Sequence, residues 1–130
     1  MDIREFAAQY KLRTRTDVCG DTIIAGKKHR NADGQSDIFE GYDDGALGVS
    51  LLFGSKSKWT RVRQTLEAAG FRLRQNGETE GVLTFDPTDA KQARLAIKTT
   101  GVRVKRQLSE ETKAKLVARL ALARQTAVLA

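Results

Sequence analysis

A chain of 130 residues, 40% hydrophobic and 30% charged, has the composition of a single globular domain and not of a disordered or fibrous protein. Its net charge of +7 favours polyanionic partners, and no apolar run approaches the ~18 residues that a membrane span needs. The single Cys19 and single His29 exclude an internal disulfide and a zinc site built only from Cys and His. No signal-peptide pattern follows Met1, so we expect a cytoplasmic protein that does not enter a membrane.

The first part of the chain predicts one helix and three strands. Asp2 followed by Glu5 is a capping-box variant, which predicts a helix from Ile3 to about Gln9. Short apolar runs between turn-forming residues predict strands over 22–25, 38–42 and 46–53. The long segment between the first two strands is rich in turn formers and predicts a loop, whereas the short Gly-containing turn between the last two predicts a hairpin.

A helix and a second hairpin are predicted next. Apolar residues recur at helical spacing from about Lys58 to Ala69. The buried face of this helix would carry Trp59, Val62, Leu66 and Ala69. Segment 71–75 alternates apolar and polar residues, Asn76-Gly77 is a strong turn signal, and 81–85 returns as the partner strand.

The last third of the chain predicts two more helices. Asp86-Pro87 resembles an N-cap followed by a first-turn proline, and the helix would run to about Thr99, burying Ala90, Ala93 and Ile97. Residues 102–105 alternate again and predict a strand. Ser109 to Thr112 can cap a final helix that reaches the C-terminus.

These elements predict an α+β fold, a two-layer sandwich in which an antiparallel sheet carries helices on one face. The expected organisation is one domain over 1–108 and a basic amphipathic helix over 109–130, packed on the domain or extending from it. The pattern allows two successive strand–strand–helix units, in which Gly48 would correspond to Gly81 at an offset of 33 residues. The alternative is that glycines simply end helices and alternation suits any strand.

Positive charge is concentrated in the second part of the chain. Residues 1–50 carry a net charge of −2 and residues 51–130 a net charge of +9. If helices cover the apolar side of the sheet, Arg72, Arg74, Arg103 and Lys105 project from its open face. The predicted nucleic-acid-binding residues are Lys56, Lys58, Arg61, Arg63, Arg72, Arg74, Arg103, Lys105 and Arg106. The alternative is an ordinary solvated surface. No aromatic residue is expected among these cations, so stacking on bases is not predicted.

The last helix has two apolar stripes, although a helix packed on its own sheet needs only one. Leu122 and Leu129 lie on the side opposite the main stripe. They are the predicted partner-binding residues, with a second copy of the chain or another protein as the partner. A frayed tail is the alternative.

No catalytic, metal or cofactor site is predicted. Residues 20–28 differ from a phosphate-binding P-loop in glycine spacing and in having Lys28 where Ser or Thr is required. The acidic residues Asp37, Glu40, Asp43 and Asp44 fit a solvated hairpin better than a metal site, which leaves a metal-dependent nuclease as the third-ranked function. Cys19 is expected to be a small, at least half-buried residue and not a nucleophile.

Two stretches carry a family resemblance, Phe71 to Pro87 and Ala93 to Gln107. Over about residues 10–108 the chain resembles small proteins of bacteria and mobile elements, of the phage and prophage type, for which no activity is known. The resemblance implies an accessory role and brings no site residues. The sequence thus predicts a non-enzymatic accessory protein that binds nucleic acid with little sequence specificity. The alternative is an inhibitor or adaptor that docks on a nucleic-acid enzyme.

Overall fold

The computed structural model describes residues 1–41, 44–104 and 110–129, with the side chains of these residues except 110 and 124–129. One six-stranded antiparallel sheet carries the fold, in the order β1-β2-β3-β4-β6-β5. Its strands are β1 (Arg15–Thr16), β2 (Thr22–Ala25), β3 (Asp37–Phe39), β4 (Leu47–Leu52), β5 (Arg72–Asn76) and β6 (Glu80–Phe85). The helices are α1 (Ile3–Tyr10), α2 (Lys56–Ala68), α3 (Ala90–Thr100) and α4 (Glu110–Leu129).

The connections confirm the predicted α+β class. Strands β1 to β4 follow one another as neighbours, and α2 then carries the chain from β4 to the far edge of the sheet at β5. The β5–β6 hairpin folds back so that β6 pairs with β4 over six residue pairs. The two edge strands of the described sheet are therefore β1 and β5.

The core lies between one face of the sheet and helices α1, α2 and α3. Phe6 of α1 contacts Phe85 of β6 at a ring-centroid distance of 5.6 Å, and Phe85 stacks on Phe71 at 5.4 Å. Trp59 and Leu66 of α2 and Leu83 of β6 are buried in the same cluster. On strand β6 it is Leu83 that lies buried on the core side, whereas its neighbour Val82 lies on the opposite face of the sheet.

The helix beginnings were predicted correctly for α1 and wrongly for α3. The Oδ1 atom of Asp2 accepts a hydrogen bond from the Glu5 backbone N–H at 2.8 Å, as a capping box requires. Helix α3 is capped by Asp89, which accepts from the N–H groups of Lys91 and Gln92. Asp86 instead accepts from the backbone and hydroxyl of Thr88, because the chain makes a turn there before it enters the helix. The helix then buries Ala93 and Ala96, while Ala90 is exposed.

The element order contains two strand–strand–helix units, but the residue alignment proposed between them is wrong. Gly48 pairs with Thr84 across β4 and β6, while Gly81 pairs with Leu51. Gly48 and Leu51 are three residues apart on one strand and therefore face opposite sides, so Gly48 and Gly81 do too. The offset of 33 residues thus places non-equivalent positions in register.

The strand predicted over 102–105 is also not formed within the described residues. Only a single bridge joins Val104 to Leu12, and Lys105 lies outside the described part.

Among the described residues, no helix is long and apolar enough to span a membrane.

Candidate nucleic-acid interface

The structure divides the predicted basic residues among three places. Lys56, Lys58, Arg61 and Arg63 lie on α2, and Arg72 and Arg74 lie on edge strand β5. Arg103 follows α3 and lines a cleft beside β1 and β2, at the opposite edge of the sheet from β5. Lys105 and Arg106 lie outside the described residues. Arg103 therefore does not lie beside Arg72 and Arg74, and a binding role for each of the predicted residues stays a prediction.

Several of these cations already have partners within the domain. Arg63 pairs with Glu67 at 3.3 Å. Arg74 forms an ion pair with Asp44 and donates from Nε to the Thr84 hydroxyl at 3.1 Å. The ammonium of Lys58 lies 5.1 Å from the ring centre of Phe53. Arg63, Arg74 and Lys58, which we predicted to bind nucleic acid, are therefore already engaged in contacts within the domain.

Five cations line a cleft of about 650 Å³ at the β1–β2 edge of the sheet. We call this the basic cleft. Its five charged lining residues are Arg13, Arg15, Lys27, Lys28 and Arg103, and its described lining contains no acid. All five side chains are exposed. Within the part of the chain that the structure describes, none of them forms an ion pair.

Three segments distant in sequence meet to form this cleft. The Gly26 N–H donates to the Ser36 carbonyl at 2.7 Å, and the Lys27 N–H donates to the Thr100 carbonyl at 2.8 Å. A Cβ atom on Gly26 would stand 2.3 Å from that Thr100 oxygen, so only glycine allows the segments to approach this closely. An antiparallel bridge between Leu12 and Val104 then places the neighbouring residues Arg13 and Arg103 beside each other.

The loop 26–36 is thus a fixed wall of the cleft and not a free surface loop. Ser36 returns a hydrogen bond from its N–H to the Lys27 carbonyl at 3.0 Å. Ala32 and Ser36 are buried, and His29 is only 8% exposed. This anchoring fixes the backbone that carries Lys27 and Lys28 on the cleft side.

The lining of the cleft suits phosphate better than other ligand classes. Besides its cations it offers the polar side chains of Thr14 and Gln35, and the rest is small residues. No carboxylate or aromatic ring lines it among the described residues, so it lacks the paired acids that bind metals or transfer protons. Clustered guanidinium and ammonium groups attract phosphate oxygens through charge-assisted hydrogen bonds.

The acidic residues do not assemble around a metal position. Asp37 lies on the open face of the sheet, where burial raises its pKa and the nearby Arg15 acts in the opposite direction. Glu40 faces the helix side and accepts from the Ile3 backbone N–H at 2.9 Å. The pKa of Asp44 is lowered, first of all by its hydrogen bond from the Ala46 N–H. Among the described residues, which do not include Asp43, no three His, Cys, Asp or Glu side chains are grouped for metal binding.

Cys19 is exposed in the turn between β1 and β2, which corrects the expectation of burial. The Oδ1 atom of Asp17 accepts from the N–H groups of Cys19 and Asp21, both at 2.9 Å. This Asp-centred turn holds residue 19 at the tip of the hairpin, beside a fully exposed Val18.

Helix α4 presents the predicted partner-binding surface. Leu122 is 64% exposed, and Val117 and Leu120 on the other stripe are exposed to a similar degree. The side chain of Leu129 lies outside the described part. Exposed leucines are consistent with a binding surface, and the partner stays a prediction.

Comparisons with known proteins add no family assignment. No protein-family model, curated protein or solved structure matches the chain. The resemblance to phage and prophage proteins therefore stays a prediction, and any function must be argued from the cleft itself.

Proposed function

We propose that the protein is a non-enzymatic accessory protein that binds nucleic acid through the basic cleft. The observation that carries this proposal is the convergence of five exposed cations, none of them ion-paired among the described residues, on one concave surface. The binding is to the sugar–phosphate backbone, because clustered cations attract phosphate oxygens whatever the base sequence.

The electrostatics of the cleft favour a polyanion. Cations that line one cleft repel one another, and salt screens such repulsion only partly over distances shorter than the Debye length of about 8–10 Å. Phosphates relieve this repulsion when they bind, and they release counterions from the nucleic acid at the same time. Both effects make the affinity depend strongly on salt and weakly on sequence.

The test compares two pairs of substitutions that remove the same charge from different places. The double variant Arg13→Gln, Lys28→Gln removes two cations from the cleft, and Lys56→Gln, Arg61→Gln removes two from α2. All four side chains are exposed, so folding should be unaffected. Binding to a labelled 15-base-pair duplex is measured by fluorescence anisotropy between 50 and 200 mM salt.

We expect a log–log salt slope of about −4 for the unmodified protein, from four to five phosphate contacts. The cleft variant should bind several-fold more weakly and lose about two units of slope, while the α2 variant keeps most of both. Equal losses in the two variants would show that net charge and not the cleft governs binding. No binding by the unmodified protein at 50 mM salt would refute the proposed function.

A second function is favoured by α4. Its exposed Leu120 and Leu122 fit the adaptor or inhibitor alternative, in which the helix docks on another protein, or on a second copy of the chain. This role does not require the basic cleft, so the two functions are separable by experiment.

A further inference from the structure

Backbone bonds join three segments around the basic cleft into a closed ring. The three segments are residues 12–15, 23–27 and 100–104. The β1–β2 ladder bonds the first segment to the second. The second bonds to the third where the Lys27 N–H donates to the Thr100 carbonyl at 2.8 Å. The third returns to the first through the Leu12–Val104 bridge. We call this arrangement the cleft ring, and eight of the ten residues that line the basic cleft belong to it.

The inner side of the cleft ring is closed by the core of the domain. Each of the three segments places one apolar residue in the core cluster, namely Leu12, Ile24 and Val102. Side chains alternate along extended backbone, so the neighbouring Arg13 and Arg103 are exposed on the outer side. The basic cleft is therefore open only toward solvent.

Every segment of the cleft ring contributes positive charge to the cleft. The first segment supplies two arginines, the second a lysine that is followed by another, and the third an arginine: Arg13, Arg15, Lys27, Lys28 and Arg103. The three segments contain no Asp or Glu. Asp37, on which Arg15 acts electrostatically, lies on β3 and does not line the cleft. An anion in the cleft would therefore have cations on all three sides.

A phosphate at the end of a strand matches this site better than a phosphate within a strand. A terminal phosphomonoester carries a charge of about −1.5 to −2 near pH 7 and three acceptor oxygens, whereas each internal phosphate carries a single negative charge. A strand that continues in both directions would also have to leave the cleft across two bonded walls. A strand end needs only the one opening that the cleft ring provides.

We infer that the basic cleft binds the terminal phosphate of a nucleic-acid strand, between cations from all three segments of the cleft ring. This inference rests on the proposed function and specifies which part of the nucleic acid enters the cleft. Internal phosphates are still attracted to the cations at the opening, so strands without a terminal phosphate bind, although more weakly.

The experiment compares three single strands of 15 nucleotides that share one sequence and one label on an internal base. One strand carries a 5′-phosphate, one carries a 3′-phosphate, and one has hydroxyl groups at both ends. Fluorescence anisotropy with the unmodified protein at pH 7.5 should show that at least one phosphorylated strand binds about tenfold more tightly than the hydroxyl-ended strand. A factor of this size corresponds to one additional charge-assisted hydrogen bond.

A lower pH supplies a second readout that needs no variant. The phosphomonoester loses its second charge near pH 6, so the ratio of the two affinities should shrink between pH 7.5 and pH 5.5. Titration of the protein itself affects all three strands, and the ratio therefore isolates the terminal phosphate.

A matched pair of variants locates the preference on the protein. Arg103→Gln removes the cation of the third segment and should abolish most of the preference for the phosphorylated strand. Arg94→Gln removes an exposed arginine of α3 that does not line the cleft, and it should keep the preference. Equal loss in the two variants would contradict the inference.

Two further results would overturn the inference. The first is equal affinity for all three strands, and the proposed function would survive it if the strands still bound with a steep salt slope. The second is displacement of the phosphorylated strand by a free nucleoside 5′-monophosphate at the strand's own Kd, since the ligand would then be a mononucleotide. No binding by any strand at 50 mM salt would refute the inference and the proposed function together.

Discussion

His29 is held in an environment that disfavours its protonated form. Its ring packs against Phe53 at a centroid distance of 4.7 Å, and no described residue gives its Nε2 atom a hydrogen-bond partner. Burial is the largest cause that lowers the pKa of His29, and the positive charges of Lys58 and Lys27 lower it further. A hydrogen bond with the Thr99 backbone acts in the opposite direction and raises the pKa. Lys27 also lines the basic cleft, so the buried His29 is coupled electrostatically to a residue of the candidate interface.

A pH dependence of stability follows from this lowered pKa. Between the folded-state value and the unfolded value near 6.5, the unfolded chain binds more protons than the native one, so stability falls as the pH is lowered through that window. We expect a lower urea midpoint at pH 5.5 than at pH 7.0. His29→Gln should reduce this difference, because His29 is the single histidine of the chain. A variant that keeps the full pH dependence would show that other groups cause it.

At the scale of elements, α4 differs from the other three helices. The described side chains from residue 111 to residue 123 are all exposed, whereas α1, α2 and α3 each bury at least two residues in one core cluster. A helix whose side chains are exposed contributes little packing energy to the domain. Its described apolar residues Leu116, Val117, Leu120 and Leu122 are exposed outside the core of the domain.

Truncation after Gln107 tests the role of α4. The shortened protein should melt within about 2 °C of the full-length chain, because none of the α4 side chains from residue 111 to residue 123 belongs to the core cluster. If Leu122 contacts a second copy, light scattering should show a dimer only for the full-length protein. A truncated protein that fails to fold would contradict this account of α4 and place the helix in the core.

Sequence patterns predicted the elements because those patterns are local. The Trp59–Leu66 spacing identified α2, and the alternation on either side of Asn76-Gly77 identified the β5–β6 hairpin. The start of α3 was misplaced because Asp86 and Asp89 are both good caps and only the turn at Thr88 distinguishes them.

At the scale of the whole molecule, the basic cleft could not be predicted from such patterns. Four of its five cations come from residues 1–50, the part of the chain with a net negative charge. They meet Arg103 only because Lys27 bonds to Thr100 and Leu12 bridges to Val104. Charge counted along the chain predicts a polyanionic partner but does not predict which surface would bind it.

The most direct measurement of the central claim is an amide chemical-shift map of the ¹⁵N-labelled protein titrated with a 15-nucleotide oligonucleotide. The largest shifts should occur at residues 13–15, 26–28 and 101–103, which contribute to the lining of the basic cleft. Residues of α2 should shift little, although α2 carries four of the cations that the sequence analysis assigned to binding. Shifts centred on 56–64, or no shifts at 50 mM salt, would contradict nucleic-acid binding through the cleft.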